Sequence, residues 1–233
     1  MFKKNNFIGK NTGMVRVVNK KTDQRVLLKG MKGVVKDLAF AHCLDKIILG
    51  IVDEFGNLFV FRMLENSSTD ADEQQTELLL QINSNSTTRD HQIHRLLWCP
   101  YLPDEGEEDG DSSARLLVLT HGSVAEMWNI DLVLRDHEIG SVLASDKIQN
   151  GKLILSDHGD DIMDASFSPD GTALATASAN GQVKFFQVSS LLIFKTFCYL
   201  EVINNNNYLN LNFLKKSIVS GLYVCQRTPT MHP

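Results

Sequence analysis

The 233-residue sequence lacks most of the short motifs that mark enzymes, metal proteins and membrane proteins. Its four cysteines form no C-x-x-C pair and lie far apart, at positions 43, 99, 198 and 225, which favours a reducing compartment. No stretch approaches the roughly 20 apolar residues of a membrane span, because SSLLIFKTFCYLEV is interrupted by Lys195 and Glu201. There is no secretory leader and no G-x-G-x-x-G or P-loop motif. A cytosolic protein without a nucleotide site is expected.

The composition is that of an ordinary globular chain, with 43% hydrophobic and 22% charged residues. The formal charge of −5 disfavours a general role in binding polyanions. The charge is uneven, since residues 1–36 hold ten Lys or Arg and one acid, whereas residues 101–111 hold six acids and no base. Most charge runs are solvated loops and strand faces.

The stretch from Asp157 to Val188 contains short apolar runs at even spacing. The runs are 162–167, 174–178 and 183–188. Asp170-Gly171 and Asn180-Gly181 separate them, and such dipeptides supply the positive φ of tight hairpin turns. Three antiparallel strands in a meander are predicted.

The same pattern recurs along the chain. The matching segments are LLVLTHGSVAEMWNI (116–130) on LATASANGQVKFFQV (174–188), HRLLWCP on MDASFSP, VVKDLAF on IMDASFS with Asp37 on Asp164, FGNLFVFR on NGQVKFFQ, and GMVRVVN on GQVKFFQ. Val18, Phe61, Trp128 and Phe186 therefore end four successive copies of one strand, 43, 67 and 58 residues apart.

The first of these intervals lies in the range of about 40–45 residues typical of a WD-type propeller blade. The longer intervals contain polar insertions, MLENSSTDADEQQTE and YLPDEGEEDGDSS, which fall between strands. A fourth, outer strand is predicted at 24–30, 77–83 and 151–157. Four-stranded units in tandem predict propeller blades.

The span from His158 to Gln187 resembles the WD40 repeat, and Trp128-Asn129 stands where that family has Trp-Asp. The family's buried hydrogen-bond chain would need His158, Ser178, an Asp at Asn180 and a Trp at Phe186. Since the last two are Asn and Phe, at most part of the chain can form. Ser178 is expected to be the partner of His158.

A closer resemblance rests on MVRVVN, LLKGMKGVVKDLAFAH, DEFGNLFVFR and HGDDIMDASFSPDGTALATAS. These segments are similar to the N-terminal propeller of the enhancer of mRNA-decapping protein 4 (Hedls) family, over about residues 13–188. The resemblance implies a non-catalytic scaffold of cytoplasmic processing bodies that brings the decapping enzyme together with its activator. The expected fold is an all-β, incomplete WD40-type propeller of about three four-stranded blades and one strand of a preceding blade.

Three segments are predicted: an extension over 1–12, the partial propeller over 13–188, and a tail over 189–233. The tail has no blade pattern and carries an Asn run at 204–207. Its residues share A/T-rich codons, and Val188-Ser189 can be encoded in the form of a splice donor. The tail is therefore predicted to be the read-through of an intron, and a divergent blade is the alternative.

Candidate chemical sites have weak support. His91, His94 and Cys99 lack a fourth ligand for zinc. Ser178, His158 and Asp164 could be imagined as a nucleophile set, but no nucleophile elbow occurs. Asp164 recurs as Asp37, which favours a structural role repeated between blades. No catalytic residue, metal or cofactor is predicted, and Trp128 is assigned a structural role.

Partner binding is expected at loops on one face of the propeller, around Lys32, Lys36, His121 and Asp160. A protein partner is favoured over RNA, because aromatic residues that would stack bases do not interleave with these lysines. No membrane or small-molecule partner is expected. The alternatives are a WD40 adaptor of another complex, such as a ligase substrate receptor, and a propeller that binds RNA directly.

Overall fold

The structure, a computed structural model, describes residues 13–19, 25–41, 47–64, 76–84, 93–100, 116–188 and 196–201. Fifteen strands and one short helix lie in these ranges. In chain order they are β1 (Val15–Val18), β2 (Arg25–Leu28), β3 (Val35–Phe40), β4 (Ile47–Asp53), β5 (Leu58–Met63), β6 (Thr76–Asn83), β7 (His94–Trp98), β8 (Leu116–His121), β9 (Val124–Asn129), α1 (Ile130–Asp136), β10 (Ser141–Ala144), β11 (Lys152–Asp157), β12 (Ile162–Phe167), β13 (Ala173–Ser178), β14 (Gln182–Gln187) and β15 (Thr196–Glu201).

The strands form four separate sheets that follow one another along the chain. Sheet 1 pairs β1 with β2; sheet 2 has the order β10-β6-β5-β4-β3; sheet 3 has β11-β9-β8-β7; sheet 4 has β12-β13-β14-β15. Each of the last three contains a four-stranded antiparallel meander. The described sheets do not close into a ring. The predicted all-β, incomplete propeller is confirmed, as are the outer strands β2, β6 and β11.

The proposed equivalence of the strand ends agrees with the strand register. Phe61, Trp128 and Phe186 lie in the third strands of sheets 2, 3 and 4, and each pairs with a leucine of the second strand: Leu49, Leu117 and Leu174 respectively. All three aromatic residues are buried and face the preceding sheet. Val18 is 37% exposed, because no described sheet precedes sheet 1.

The apolar side chains pack between neighbouring sheets. One cluster joins sheets 1 and 2, a second joins sheets 2 and 3, and a third joins sheets 3 and 4. A small fourth cluster on the other face of sheet 4 contains Ala175, Ala177 and Val183. Each fully buried Val, Leu or Phe side chain contributes about 1.5–3 kcal/mol, so the seams between sheets dominate the stability of the fold.

The hairpin turns of sheet 4 are formed as the sequence predicts. Gly171 and Gly181 have φ of 72° and 84°, values that favour glycine. Gly171 N donates to Ser168 O, and Gly181 N donates to Ser178 O, both at 3.0 Å. The meander of β12, β13 and β14 is confirmed.

The segment between β9 and β11 was not predicted. Asn129, at the place of the Asp in a Trp-Asp pair, caps α1 by accepting a hydrogen bond from Leu132 N at 3.0 Å. The chain then returns to sheet 2, where β10 pairs in parallel with β6. This insertion therefore ties sheet 3 to the outer edge of sheet 2.

The structure places β15, from residues 196–201, beside β14 as the fourth strand of sheet 4. The predicted extension over 1–12 and residues 189–195 and 202–233 of the predicted tail lie outside the described residues. The boundary near residue 188 and the intron origin of the tail stay predictions.

Candidate interaction face

One face of the sheets is formed by two kinds of connection, and we call it the turn face. The lead-in loops 29–34 and 158–161 precede the innermost strands β3 and β12, and the turns 54–57, 122–123 and 179–181 join the second and third strands. In an antiparallel meander these connections lie at the same end of the strands. The turn face is therefore the surface on which several loops can contact one partner.

Hydrogen bonds hold the lead-in loops against the turns. Glu54 N donates to Val34 O at 2.8 Å, and Glu54 Oε1 accepts from Val34 N at 3.0 Å. His158 N, in the lead-in loop of sheet 4, donates to Ser123 O in the turn of sheet 3 at 3.0 Å, and Ala179 N donates to Asp161 O within sheet 4 at 2.8 Å. The turn face is thus pre-formed, which lowers the entropy cost of binding.

The turn of sheet 2 is held most firmly. Asp53 is fully buried, and its Oδ1 accepts from Phe55 N at 3.0 Å and from Asn57 N at 2.9 Å. Its other oxygen accepts from Asn57 Nδ2 at 3.0 Å, and Asn57 Oδ1 accepts from Ser84 N at 3.1 Å. A buried carboxylate is favourable here because several donors satisfy it.

The predicted partner-binding residues lie on or beside the turn face. Lys32 and Asp160 are exposed in the two lead-in loops, and Lys36 is exposed on β3. His121 is the last residue of β8, beside the turn of sheet 3. Asp160 Oδ1 accepts from Asp161 N at 2.8 Å. Their roles in partner binding stay predictions.

Lys36 and His121 share a neighbour that the sequence analysis considered only as a metal ligand. His94, the first residue of β7, is 3% exposed and lies at the seam between sheets 2 and 3. Neither ring nitrogen has a hydrogen-bond partner in the described structure. Burial lowers the pKa of His94, the nearby positive charges of His121 and Lys36 lower it further, and the main-chain carbonyl of Glu54 opposes them.

A charged cluster adjoins this seam. Glu126 Oε1 lies 2.8 Å from Lys152 Nζ and 3.4 Å from His121 Nε2. Burial raises the pKa of Glu126, but the hydrogen bonds from His121 and Lys152 outweigh burial and hold it below its usual value. Lys152 Nζ also lies 5.0 Å from the ring centre of Trp128, a cation–π distance. Trp128 itself is 1% exposed.

The hydrogen bonds around His158 differ from the expectation. His158 Nε2 lies 2.7 Å from Thr176 Oγ1, not from Ser178. Ser178 Oγ instead lies 2.5 Å from Asn180 Oδ1, and Asn180 Nδ2 donates to His158 O at 3.2 Å. The expected His158–Ser178 pair is wrong because the two-residue period of β13 places Thr176 and Ser178 on one face, and Ser178 is drawn to the turn.

The innermost strands of neighbouring sheets are joined by side chains at equivalent positions. Asp37 and Asp164 each follow a register shift near the start of their strands, and Arg95 is their counterpart in β7. Asp37 Oδ2 accepts from Leu96 N of the next sheet at 3.0 Å, and Arg95 Nε donates to Met163 O of the next sheet at 3.4 Å.

Within the sheets, the two aspartates also make the same local bond. Asp37 Oδ1 accepts from Leu38 N at 2.9 Å, and Asp164 Oδ1 accepts from Ala165 N at 3.0 Å. The carboxylates therefore bond strand amides, and one of them joins two sheets.

The described residues lack two further features. No group of three or more His, Cys, Asp or Glu side chains is arranged to hold a metal ion. Among the same residues, no helix has the length and apolarity needed to cross a membrane.

Comparison with protein families gives one decisive match. Residues 2–198 match the family described as the WD40 region of Ge1, enhancer of mRNA-decapping protein. The chain belongs to this family. The Ge1 WD40 match covers all four sheets up to the middle of β15.

Curated relatives of the Ge1 WD40 chain have related names. Enhancer of mRNA-decapping protein 4 from Homo sapiens is 39% identical over 178 residues, and its Danio rerio counterpart is 38% identical over 178 residues. Each alignment covers 76% of this chain but 12% of the relative. The chain therefore spans about an eighth of the length of these relatives. A solved structure of Chaetomium thermophilum Sqt1 bound to the N-terminus of the ribosomal protein L10 aligns with a TM-score of 0.46 and 17% identity, over 74% of this chain and 38% of that one.

The sequence analysis of this Ge1 WD40 chain missed three side chains on or between the sheets. Thr176 and Arg95 were read only as strand residues, and no spacing signal marks their contacts. Phe55 is 45% exposed in the turn of sheet 2. Its exposure had a sequence signal, since it precedes the Gly-Asn of a predicted turn, where a large aromatic residue has no strand face to pack on.

Proposed function

We propose that the chain is a non-catalytic protein-interaction module of an mRNA-decapping scaffold, which binds through its turn face. In this role it helps to assemble the decapping enzyme and its activator in cytoplasmic processing bodies. Membership of the Ge1 WD40 family supports the decapping role, and the pre-formed turn face supports binding through loops.

The observation that carries the proposal is the state of the basic residues on the turn face. Lys29, Lys32 and Lys36 are exposed, and none of them forms an ion pair with another described residue. Exposed charges without a partner among the described residues are available to steer and hold a partner of opposite charge.

The test measures binding of purified decapping enzyme and activator to the wild-type chain and to the double variant Lys32→Ala/Lys36→Ala. Two exposed charge pairs at about 0.2–1 kcal/mol each predict a loss of roughly twofold to thirtyfold, larger at low salt. Arg135→Ala is the matched control, because Arg135 is exposed in α1, which follows a third strand and so lies away from the turn face.

Two results would contradict the proposal. The first is that neither the decapping enzyme nor the activator binds the folded wild-type chain. The second is that the lysine variant and the Arg135 variant bind these proteins equally well. If instead single-stranded RNA binds with a steep salt dependence that the lysine variant removes, the chain is an RNA-binding propeller.

A further inference from the structure

We infer that Phe55 is the apolar anchor of a docking surface for an acidic peptide that carries an apolar side chain. The surface consists of Phe55 with the lysines Lys29, Lys32 and Lys36. The inference deepens the proposed function and rests on it for the location of the partner, since it names the kind of segment that the turn face recognises.

The fold holds Phe55 in place without burying its ring. Its main-chain N–H is bonded to the buried carboxylate of Asp53, which also fixes Asn57 on the other side of the turn. The ring nevertheless remains 45% exposed. Among the residues whose side-chain burial the structure describes, which excludes 196–201, it is the one exposed aromatic side chain. A rigidly held aromatic residue loses little entropy on binding, as interface anchors do.

The corresponding turn of sheet 4 shows what this position does when it is structural. Gly56 and Gly181 are equivalent, with φ of 75° and 84°, so Phe55 corresponds to Asn180. Asn180 accepts from Gln182 N and donates to the lead-in loop at His158 O.

In sheet 2 two other side chains make the corresponding bonds. Asp53 accepts from the turn amides, and Glu54 accepts from Val34 N in the lead-in loop. The side chain at position 55 is therefore not needed to bond the turn amides or the lead-in loop. It is a large apolar ring in contact with solvent.

The lead-in loop approaches this ring closely at Gly33. A Cβ atom on Gly33 would lie 2.6 Å from Phe55 Cε2, closer than two carbon atoms can approach. Gly33 does not have a positive φ, so its backbone accepts alanine, but the added Cβ would clash with the ring and with Glu54, whose Cγ and Oε1 would each lie 2.8 Å away. The absence of a side chain at Gly33 therefore leaves room for the ring next to the loop that carries Lys32.

The charge of the surface selects an acidic occupant. Lys29, Lys32 and Lys36 lie within the eight residues 29–36, which contain no acid. Asp37 follows directly, and its carboxylate accepts a hydrogen bond from Leu96 N. A peptide is favoured over RNA because the chain carries a net charge of −5 and one exposed aromatic ring gives no run of stacking platforms.

The test selects ligands from a display library of fifteen-residue peptides of random sequence, using the wild-type chain. Selected peptides are expected to be rich in Asp and Glu and to carry a Leu, Phe or Trp. Phe55→Ala should weaken them about tenfold, equivalent to about 1.4 kcal/mol. Gly33→Ala should weaken them through displacement of the ring and of the Glu54 side chain beside it, whereas Phe55→Leu should retain most of the binding.

Ile154→Ala is the matched control, because Ile154 is 62% exposed on β11. The inference is overturned if no peptide is selected, if the peptides lack acidic residues, or if Phe55→Ala binds them as the wild type does. Tighter binding of oligouridine RNA, lost in Phe55→Ala, would overturn it in favour of RNA. Selected peptides of the expected kind, together with no binding of the decapping enzyme or activator, would refute the proposed function and leave the inference standing.

Discussion

Replacing Asp37 by alanine should destabilise the chain more than the same change at Asp164. The two residues occupy equivalent positions and make the same bond to the next amide of their own strands. Only Asp37 also accepts a hydrogen bond from the neighbouring sheet, at Leu96 N. The pair therefore compares an aspartate that is bonded to the neighbouring sheet with an equivalent one that is bonded within its own strand.

The magnitude follows from the contacts. A hydrogen bond to a charged acceptor is worth about 1.5–3 kcal/mol, and a buried amide left without its acceptor costs about 1–3 kcal/mol. Leu96 is 4% exposed, so little water can replace the lost carboxylate. We expect Asp37→Ala to cost about 2–3 kcal/mol and Asp164→Ala about 1 kcal/mol, because Asp164→Ala removes the bond to Ala165 N but no bond to a neighbouring sheet.

Urea unfolding followed by tryptophan fluorescence is the suitable assay. The chain has two tryptophans, Trp98 and Trp128, and both are buried in the cluster between sheets 2 and 3. The signal therefore reports on the seam that Asp37 joins. Asp37→Asn, which keeps one acceptor oxygen, should lose less than Asp37→Ala. Equal losses for the alanine variants at positions 37 and 164 would refute the idea that the inner strands are joined through this carboxylate.

Three further predictions concern single contacts. Trp98→Phe removes the hydrogen bond from Nε1 to Ala39 O, 2.9 Å long, and should cost about 1–2 kcal/mol in the same urea assay. Burial lowers the pKa of His94 in the folded chain, so as the pH falls the unfolded chain binds a proton at a higher pH than the folded chain does. The free energy of unfolding should therefore fall as the pH drops below about 6.5, by at most about 1.4 kcal/mol per pH unit. His94→Gln should make the free energy of unfolding less dependent on pH, and an unchanged slope would contradict the assignment of this dependence to His94. The ion pair of Arg62 with Glu77 is about a third exposed, so Glu77→Gln should cost less than about 1 kcal/mol, and high salt should shrink the difference.

The repeat was predictable because one physical requirement recurs. Phe61, Trp128 and Phe186 each fill the space against the preceding sheet, so the sequence must supply a large apolar residue at the same strand position. Alternation and turn dipeptides then located most strands to within a residue or two. The segment from Ile130 to Ala144 escaped prediction because β10 is only four residues long and pairs with a strand that lies about sixty residues earlier.

The side-chain contacts were less predictable for a related reason. A strand pattern tells which face a residue occupies, but Thr176 and Ser178 share a face, and their partners depend on how far the lead-in loop reaches. The same holds for His94, whose ring lies beside Gly56 of another sheet. Sequence periodicity therefore determines the stacking of sheets, whereas the surface that meets a partner is determined by turns and loops that vary from one sheet to the next.

This division favours Phe55 over its counterpart Asn180 as a residue of the proposed docking surface. In a stack of copies, residues inside the seams are constrained alike in each copy, so they carry little information about a partner. A residue that departs from its counterpart without a structural gain is the better indicator of binding, and Phe55 departs from Asn180 in this way. If Phe55→Asn leaves stability unchanged and removes peptide binding, the difference between the two turns belongs to recognition; a loss of stability of more than about 1 kcal/mol would show instead that the ring supports the fold.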